Sequence, residues 1–252
     1  MEQAGRFFRY VVPGLTLIIE FLGYLLISGD ICFSQLIYQL NAVGIAASAL
    51  LVSGGLGFLL GVFYYIVVWR EKYLKKILTG VNFRSVLEKA VSEGWLRLCY
   101  PNGDEVQATK LAKRDAWRVV TSYLSMRMET SVRIKGAFPR MERFADLVNG
   151  LGTTCLGSFV ALMLFLCVNI YRAWPGQFSW WGWVSFLMGS GILIIHHCNY
   201  RGVIKDYENV VDAILLNEFE CEYYSKSILG SPIKLHVFQN DLKKECLKPK
   251  DK

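Results

Sequence analysis

Glu20 is the residue whose type and position most clearly indicate chemistry, because it is an ionisable side chain inside an apolar segment. Placing such a group near the centre of a bilayer costs about 2.5 to 3.5 kcal/mol on insertion scales, so it usually faces a bundle interior or a water-filled cavity. Glu20 is therefore either an ion or proton site, or a protonated carboxyl bonded to a neighbouring helix. The second interpretation is favoured, since no predicted span supplies a basic partner and a lone carboxyl can neutralise itself.

His196, His197 and Cys198 follow one another and have side chains that can bind metal ions. Adjacent residues of a helix point about 100° apart, so the two histidines cannot easily share an ion, and we expect both at the lipid interface. The chain has no H-x-x-x-H spacing and no C-x-x-C pair, and it lacks the G-x-S-x-G, Walker and G-x-G-x-x-G patterns. The sequence therefore predicts no enzyme, no metal site and no cofactor.

A basic cluster beside Trp117 could bind an anionic partner; it consists of Lys110, Lys113, Arg114 and Arg118. Lipid headgroups and nucleic acid are two such partners. The tail, however, holds six carboxylates and no Lys or Arg in the seventeen residues from 206 to 222. We expect this acidic segment to pair with the cluster through Glu218, Glu220 and Glu222, and we do not expect direct binding of nucleic acid.

Four long apolar stretches must position these residues: 7–27, 42–68, 150–170 and 178–195. Each is near the roughly 20 residues that a helix needs to cross the hydrocarbon of a bilayer. The sequence thus predicts an all-α membrane protein with four transmembrane helices in two hairpins, residues 1–69 and 150–198. Of the 28 Lys and Arg residues, only Arg172 lies in a loop between paired spans. Because positive charge stays on the cytoplasmic side, both termini are predicted to be cytoplasmic.

Small residues recur at four-residue spacing in three of these spans. They are Ser53, Gly57 and Gly61 in the second span, Gly157 and Ala161 in the third, and Ser185 and Gly189 in the fourth. Such stripes let helix backbones approach closely in lipid. Two interpretations stay open: packing inside one four-helix bundle, or subunit contacts in a homo-oligomer, which we expect to be a dimer to a tetramer. Apart from Glu20, any pore so built would be lined by apolar and small residues and would gate by wetting.

The soluble segments predict a small α+β cytoplasmic domain. The insert, residues 70–149, has sixteen basic and nine acidic residues, a net charge of +7. It is expected to form a short helix over 83–91, a β-hairpin over 96–108 with an Asn-Gly turn, and a long helix over 111–134. Arg140, directly after Pro139, then opens a helix that enters the third span. In the tail, residues 199–252, an acidic helix over 203–224 continues the fourth span, and a strand over 233–238 could join the hairpin.

The arrangement of two short transmembrane hairpins around a basic cytoplasmic domain, without catalytic residues, resembles the four-helix membrane components of bacterial anti-phage defence systems, such as the membrane subunit of the Kiwa system. The resemblance covers the whole chain as topology. It implies a homo-oligomer that senses disturbance at the inner membrane and works with a soluble cytoplasmic partner, or one that permeabilises the membrane on activation. The expected function is a sensor or scaffold that contacts membrane lipids and docks a soluble effector. A regulated pore and a transporter subunit are the alternatives.

Overall fold

The described part of the chain is mostly helical. The computed structural model describes residues 7–29, 42–69, 81–100, 102–173, 179–226 and 232–237. Within these ranges the elements are α1 Val12–Ile27, α2 Ala42–Trp69, α3 Arg84–Ser92, β1 Leu96–Cys99, α4 Lys113–Arg127, α5 Val132–Ala173, α6 Trp180–Lys226 and β2 Ile233–His236. A π-helical turn, Phe7–Val11, leads into α1, and a 3-10 turn, Ala108–Lys110, precedes α4.

The chain divides into two compact units. The first unit comprises Met1–Thr79 and Glu142–Asp206, and the second comprises Gly80–Met141 and Tyr207–Lys252. The division falls inside α5 and α6, so each of these two helices contributes residues to both units.

Among the described residues, three helices are long and apolar enough to cross a membrane by length and composition. They are Arg9–Ile27, Leu50–Val68 and the apolar part of Val132–Tyr171. These helices indicate an integral membrane protein. In α2, large apolar side chains such as Leu51 face outward, and Leu51 is 80 % exposed, which suits contact with lipid. The fourth predicted span lies in α6, which is not one of these three helices.

The first unit packs α2 tightly against α1 and the π-helical turn. A Cβ atom added to Gly14 would overlap the carbonyl oxygen of Ser53, and one added to Gly57 would overlap the carbonyl oxygen of Tyr10. Gly61 is farther away, since its Cβ would lie 3.9 Å from the Tyr10 ring. Only glycine allows backbones to approach so closely. The buried core beside this contact consists of Leu17, Tyr24, Leu25, Leu60, Ala161, Leu162 and Phe165.

The small residues of α5 and α6 also face neighbours within their own chain. A Cβ on Gly157 would lie 3.1 Å from the carbonyl oxygen of Pro13, and one on Gly189 would lie 2.9 Å from a methyl carbon of Leu162. Ser185 is fully buried. In this structure the small-residue stripes therefore bring helices of one chain together.

The second unit contains a two-stranded parallel sheet, in which β1 pairs with β2 from Leu96↔Ile233 to Cys99↔His236. Leu96, Leu98 and Ile233 are buried while Arg97 and Lys234 are exposed, as expected for strands with one face on a core. Helix α3 covers the buried side with Val86, Leu87 and Ala90.

The predicted hairpin over 96–108 forms only in part, because its second strand is reduced to a short stretch of pairing. The turn itself forms: Gly103 has φ +90°, and its N–H donates to the carbonyl oxygen of Tyr100 at 2.9 Å. After the turn, Glu105 bridges to Cys99 and the Val106 N–H donates to the carbonyl oxygen of Leu98 at 2.7 Å, and the chain then enters the 3-10 turn. The strand expected in the tail forms as β2 and pairs with the other edge of β1, where the Val237 N–H donates to the carbonyl oxygen of Cys99 at 2.8 Å.

Two predicted helix boundaries are also wrong. The helix predicted over 111–134 ends at Arg127, and α5 begins at Val132. The interruption has a local cause: the Ser131 hydroxyl accepts a hydrogen bond from the N–H of Ile134 at 3.3 Å, which caps the start of a new helix. The helix predicted to open at Arg140 is part of α5, and Pro139 lies inside it, where it costs one backbone hydrogen bond.

Candidate functional site

A polar cluster lies inside the apolar helices of the first unit, centred on Glu20. One carboxylate oxygen accepts a hydrogen bond from the Tyr24 hydroxyl at 3.1 Å. The other oxygen accepts one from the Ser158 hydroxyl at 2.9 Å and lies 3.2 Å from Nε2 of His196. The Glu20 side chain is only 9 % exposed and the His196 side chain 26 %. Helices α1, α5 and α6 thus each supply a polar group to one buried site.

Helical spacing explains how α1 and α6 supply these groups. In α1, Glu20 and Tyr24 are one turn apart, so their side chains lie on the same face. In α6, Ser185, Gly189 and His196 are spaced by four and then seven residues, which also places them on one face. The Ser185 hydroxyl donates to the carbonyl oxygen of Tyr24 at 3.2 Å, and this contact holds α6 against α1.

In α5, the lack of a side chain at Gly157 allows α1 to approach the helix, so the adjacent hydroxyl of Ser158 can reach the carboxylate. That hydroxyl has a second acceptor, because the carbonyl oxygen of Thr154 lies 3.2 Å away. Its single proton can therefore be donated either to Glu20 or to its own helix. The serine keeps a partner whichever way the carboxyl group is arranged.

The site can hold and transfer a proton. A carboxylate accepts several hydrogen bonds, and neutral imidazole donates through one ring nitrogen and accepts through the other. With Nε2 protonated, His196 donates to Glu20, and a second proton on the ring makes an ion pair. Within the described residues, no group of three or more His, Cys, Asp or Glu side chains could hold a metal ion.

Two sequence expectations at this site need correction. Glu20 does have a basic partner, and His196 is not merely an interfacial residue, since its ring contacts the carboxylate. His196 lies one residue beyond the predicted fourth span, so a search for partners within the spans excluded it. Its helical spacing from Ser185 and Gly189 was the available signal. His197, on another face of α6, makes no contact with Glu20 among the interactions of the described residues.

A second buried polar network lies in the second unit, around Arg127 at the end of α4. Its guanidinium is 2.8 Å from Glu218 and 3.6 Å from Glu222, and both carboxylates are buried. The hydroxyls of Ser131 and Tyr123 complete the network, donating to Glu218 at 3.0 Å and to Glu222 at 2.9 Å. Burial raises the pKa of Tyr123 above its usual range, and the neighbouring Glu222 raises it further.

Arg127 itself stays charged in this network. Burial acts to lower the pKa of Arg127, but the hydrogen bond to Glu218 and the proximity of Glu222 outweigh it, and the net change is upward. One guanidinium thus faces two carboxylates, which also accept hydrogen bonds from Ser131 and Tyr123, while the Nε of Arg127 is buried without a partner among the described residues.

Two further carboxylates of α6 contact the start of α3. Glu208 accepts a hydrogen bond from the backbone N–H of Asn82, and Asp212 accepts one from the Ser85 hydroxyl at 3.4 Å. Burial raises the pKa of Asp212 to about 6, and the nearby charge of Glu208 contributes to the increase. The other oxygen of Asp212 is buried and has no hydrogen-bond partner among the described residues.

The predicted pairing of the basic cluster with the acidic segment is wrong in its cation. Glu218 and Glu222 pair with Arg127, whereas Glu220 is exposed. In the parts of the chain that the structure describes, no ion pair is formed by Lys110, Lys113, Arg114 or Arg118. The position of Arg127 along α4 explains the difference. Arg127 is one turn from Tyr123, and both lie where the buried face of α4 meets α6.

Together, the fold and the site define a mostly helical protein with three helices suited to a membrane and a buried carboxylate–imidazole pair among them. No protein-family model, curated protein or solved structure matches the chain.

Proposed function

We propose that the chain is a four-span protein of a bacterial inner membrane, with both termini in the cytoplasm. The first part of α6 provides the fourth span in this proposal. Its apolar side chains face outward, among them Leu187, Ile194 and Ile195. Trp180, Trp181 and Trp183 are exposed at its beginning, where an aromatic belt would meet the lipid headgroups. The positive charge of the insert supports its cytoplasmic placement.

The function that the site supports best is an oligomeric membrane sensor that docks a soluble cytoplasmic effector, with a role in anti-phage defence as the resemblance implies. The carrying observation is the contact between Glu20 of α1 and His196 of α6. An ionisable group among membrane helices is costly unless it is paired. A helix arrangement that keeps this contact and one that loses it therefore differ in free energy. A sensor needs such a two-state element.

The second unit supports the docking role. Its network around Arg127 fixes α4 to α6, and the parallel pairing of β1 with β2 fixes the tail to the insert. A surface held in one arrangement loses little conformational entropy when a partner binds.

The test uses the full chain in sealed liposomes that contain a self-quenching dye, stepped from neutral pH to about pH 5.5 to protonate histidine. The change in pH is the only stimulus, and no other ligand is added. Hydrogen exchange of α4 and β1 reports on the second unit, dye release reports a pore, and internal pH reports proton transport. For the unmodified chain, we expect the liposomes to stay sealed and the hydrogen-exchange rates of α4 and β1 to change with pH.

The variants Glu20→Gln and His196→Gln should lose that exchange response. The exposed residues Glu220 and His236 provide matched controls, and Glu220→Gln and His236→Gln should keep it. Dye release that requires Glu20 would favour the regulated pore, and proton uptake that requires Glu20 would favour a transporter subunit. An exchange response that survives loss of both Glu20 and His196 would contradict the proposed role of the pair.

A further inference from the structure

The start of α4 and the turn before it carry a stripe of cations that we call the basic face, formed by Lys110, Lys113, Arg114 and Arg118. Arg114 and Arg118 are one turn apart in α4, Lys113 is the first residue of that helix, and Lys110 lies in the 3-10 turn before it. Lys110 and Lys113 are exposed, and Arg114 and Arg118 are half-buried. Trp117, also half-buried, lies in the same stripe.

The basic face is held in place by the opposite side of α4. Ala116, Val119 and Val120 are buried there, and Leu111, just before the helix, is 3 % exposed. The Arg84 guanidinium donates a hydrogen bond to the carbonyl oxygen of Leu111 and so ties the start of α4 to α3. The positions of the three cations in α4 are therefore set before any partner binds.

Among the described residues, two of the three carboxylates expected to pair with the basic face are committed elsewhere, and the third, Glu220, is exposed. Glu218 and Glu222 are buried against Arg127. Glu208 accepts a hydrogen bond from the backbone N–H of Asn82. Burial raises the pKa of Glu208 and the nearby positive charge of Lys113 acts to lower it, but Lys113 and Glu208 form no ion pair within the described residues. Asp115 is the one acidic residue within the stripe, so four cations and one anion leave a net charge of +3.

We propose that the basic face binds the headgroups of anionic phospholipids. Exposed polybasic segments of membrane proteins gain about fivefold in affinity per Lys or Arg from the negative surface of a bilayer. A partly buried Trp among the cations suits headgroup depth, where one side of the ring is wet and the other apolar. Nucleic acid fits less well, because tight binding to a duplex uses about six to ten phosphate contacts, and the face offers four cations.

The first test measures binding of short-chain phosphatidylglycerol and phosphatidylcholine to the full chain in neutral detergent. A variant with K110Q, K113Q, R114Q and R118Q is compared with a charge-matched control carrying K89Q, K135Q, R140Q and K205Q at exposed positions. We expect the unmodified chain and the control to prefer phosphatidylglycerol, and the basic-face variant to lose affinity by more than about tenfold, given about fivefold per cation. Equal losses in both variants would overturn the proposal.

Inorganic phosphate and a short DNA duplex are added as competitors, at about 0.05 and 0.2 M salt. Displacement of the lipid by millimolar phosphate would assign the face to free phosphate, and displacement by nanomolar duplex would assign it to nucleic acid. Either outcome rejects the lipid as the partner. Weak competition by both, with lipid binding that falls as salt rises, supports the proposal.

A second measurement needs no variant and so does not depend on the variant folding. The unmodified chain is placed in phosphatidylcholine nanodiscs with or without roughly 30 % phosphatidylglycerol, and the acylation rate of each lysine is followed by mass spectrometry. Lys110 and Lys113 should be protected by the anionic lipid, whereas Lys89 and Lys205 should not. The proposal would be overturned if the acylation rates of Lys110 and Lys113 were the same with and without phosphatidylglycerol, as those of Lys89 and Lys205 should be.

Discussion

The contact between Glu20 and His196 can be tested by replacing each residue singly and then both together. In His196→Phe the ring volume is largely kept but the carboxylate loses its basic partner. In Glu20→Gln the side-chain shape is kept, and the amide oxygen can still accept from Ser158, whose hydroxyl lies 2.9 Å from the carboxylate in the unmodified chain. The double variant removes both groups and leaves no orphaned charge.

The size of the effect depends on the protonation of the pair. A neutral hydrogen bond between membrane helices contributes about 0.6 kcal/mol and at most about 1.7. Removing one partner of a buried ion pair costs about 3 to 5 kcal/mol, and the partial exposure of His196, 26 %, reduces that figure. The Glu20 carboxylate lies within hydrogen-bond distance of Tyr24, Ser158 and His196, so the cost of removing one partner is expected between these two limits. We therefore expect His196→Phe to cost about 2 to 3 kcal/mol and Glu20→Gln about 1 kcal/mol.

The double variant should lose about 1 to 2 kcal/mol less unfolding free energy than the two single variants lose together, because it leaves no carboxylate without a partner. The assay is reversible unfolding of the full chain in mixed micelles with increasing denaturing detergent. His197→Phe is the matched control, since it changes the adjacent histidine on another helix face and should be additive with Glu20→Gln. Additivity of the Glu20 and His196 changes within about 0.5 kcal/mol, or equal coupling of Glu20 to His197, would refute the reasoning.

Three further predictions concern other parts of the chain. Replacing Arg127 with Met should cost about 3 to 5 kcal/mol in the unfolding free energy of the second unit, because Glu218 and Glu222 would be buried without a cation, and adding Glu218→Gln should recover part of it in the same assay. Asp212→Asn should stabilise the second unit by about 1 to 2 kcal/mol near pH 7.5. Burial raises the pKa of Asp212 to about 6, so the folded unit loses stability as the pH rises from about 4 to 6 and the buried carboxyl becomes charged, and asparagine avoids that loss. Urea unfolding as a function of pH should show that slope in the unmodified chain and in the exposed control Asp206→Asn but not in Asp212→Asn, and a destabilising effect at pH 7.5 would contradict it. Gly57→Leu should disrupt the first unit, since any Cβ overlaps the Tyr10 carbonyl oxygen, whereas Gly55→Leu, with open space around it, should leave thermal stability and size in detergent unchanged.

Local patterns in the sequence predicted the helical parts of the fold better than the contacts between them. The long apolar runs that indicated membrane helices depend only on composition over about 20 residues. The turn at Asn102 and Gly103 is also local, and a turn forms there with positive φ at Gly103 but not at Asn102, where a two-residue Asn-Gly turn would need it. The second strand of the hairpin is shorter than expected because the chain enters the 3-10 turn at Ala108. The expected tail strand does form as β2, but its parallel pairing with β1, more than a hundred residues away, could not be read from two short apolar runs.

The candidate site could be predicted only in part for a related reason. Glu20 was identified from its charge alone, but its partner depends on how α1 and α6 are rotated about their axes. The acidic segment likewise showed which charges were available and not which cation they would meet. The one-turn spacing of Tyr123 and Arg127, beside a buried helix face, was the signal that would have identified Arg127.

The separation of Glu20 and His196 along the chain has a consequence for biosynthesis. The two residues are 176 positions apart, so a ribosome that adds about 5 to 20 residues per second makes the histidine about 10 to 35 s after the glutamate. During that interval the first helix can enter the bilayer with Tyr24, one turn away in the same helix, as the hydrogen-bond donor already made. Tyr24 would then act during insertion as a temporary substitute for the later helices, and Tyr24→Phe should lower the yield of inserted protein more than it lowers the stability of the finished fold.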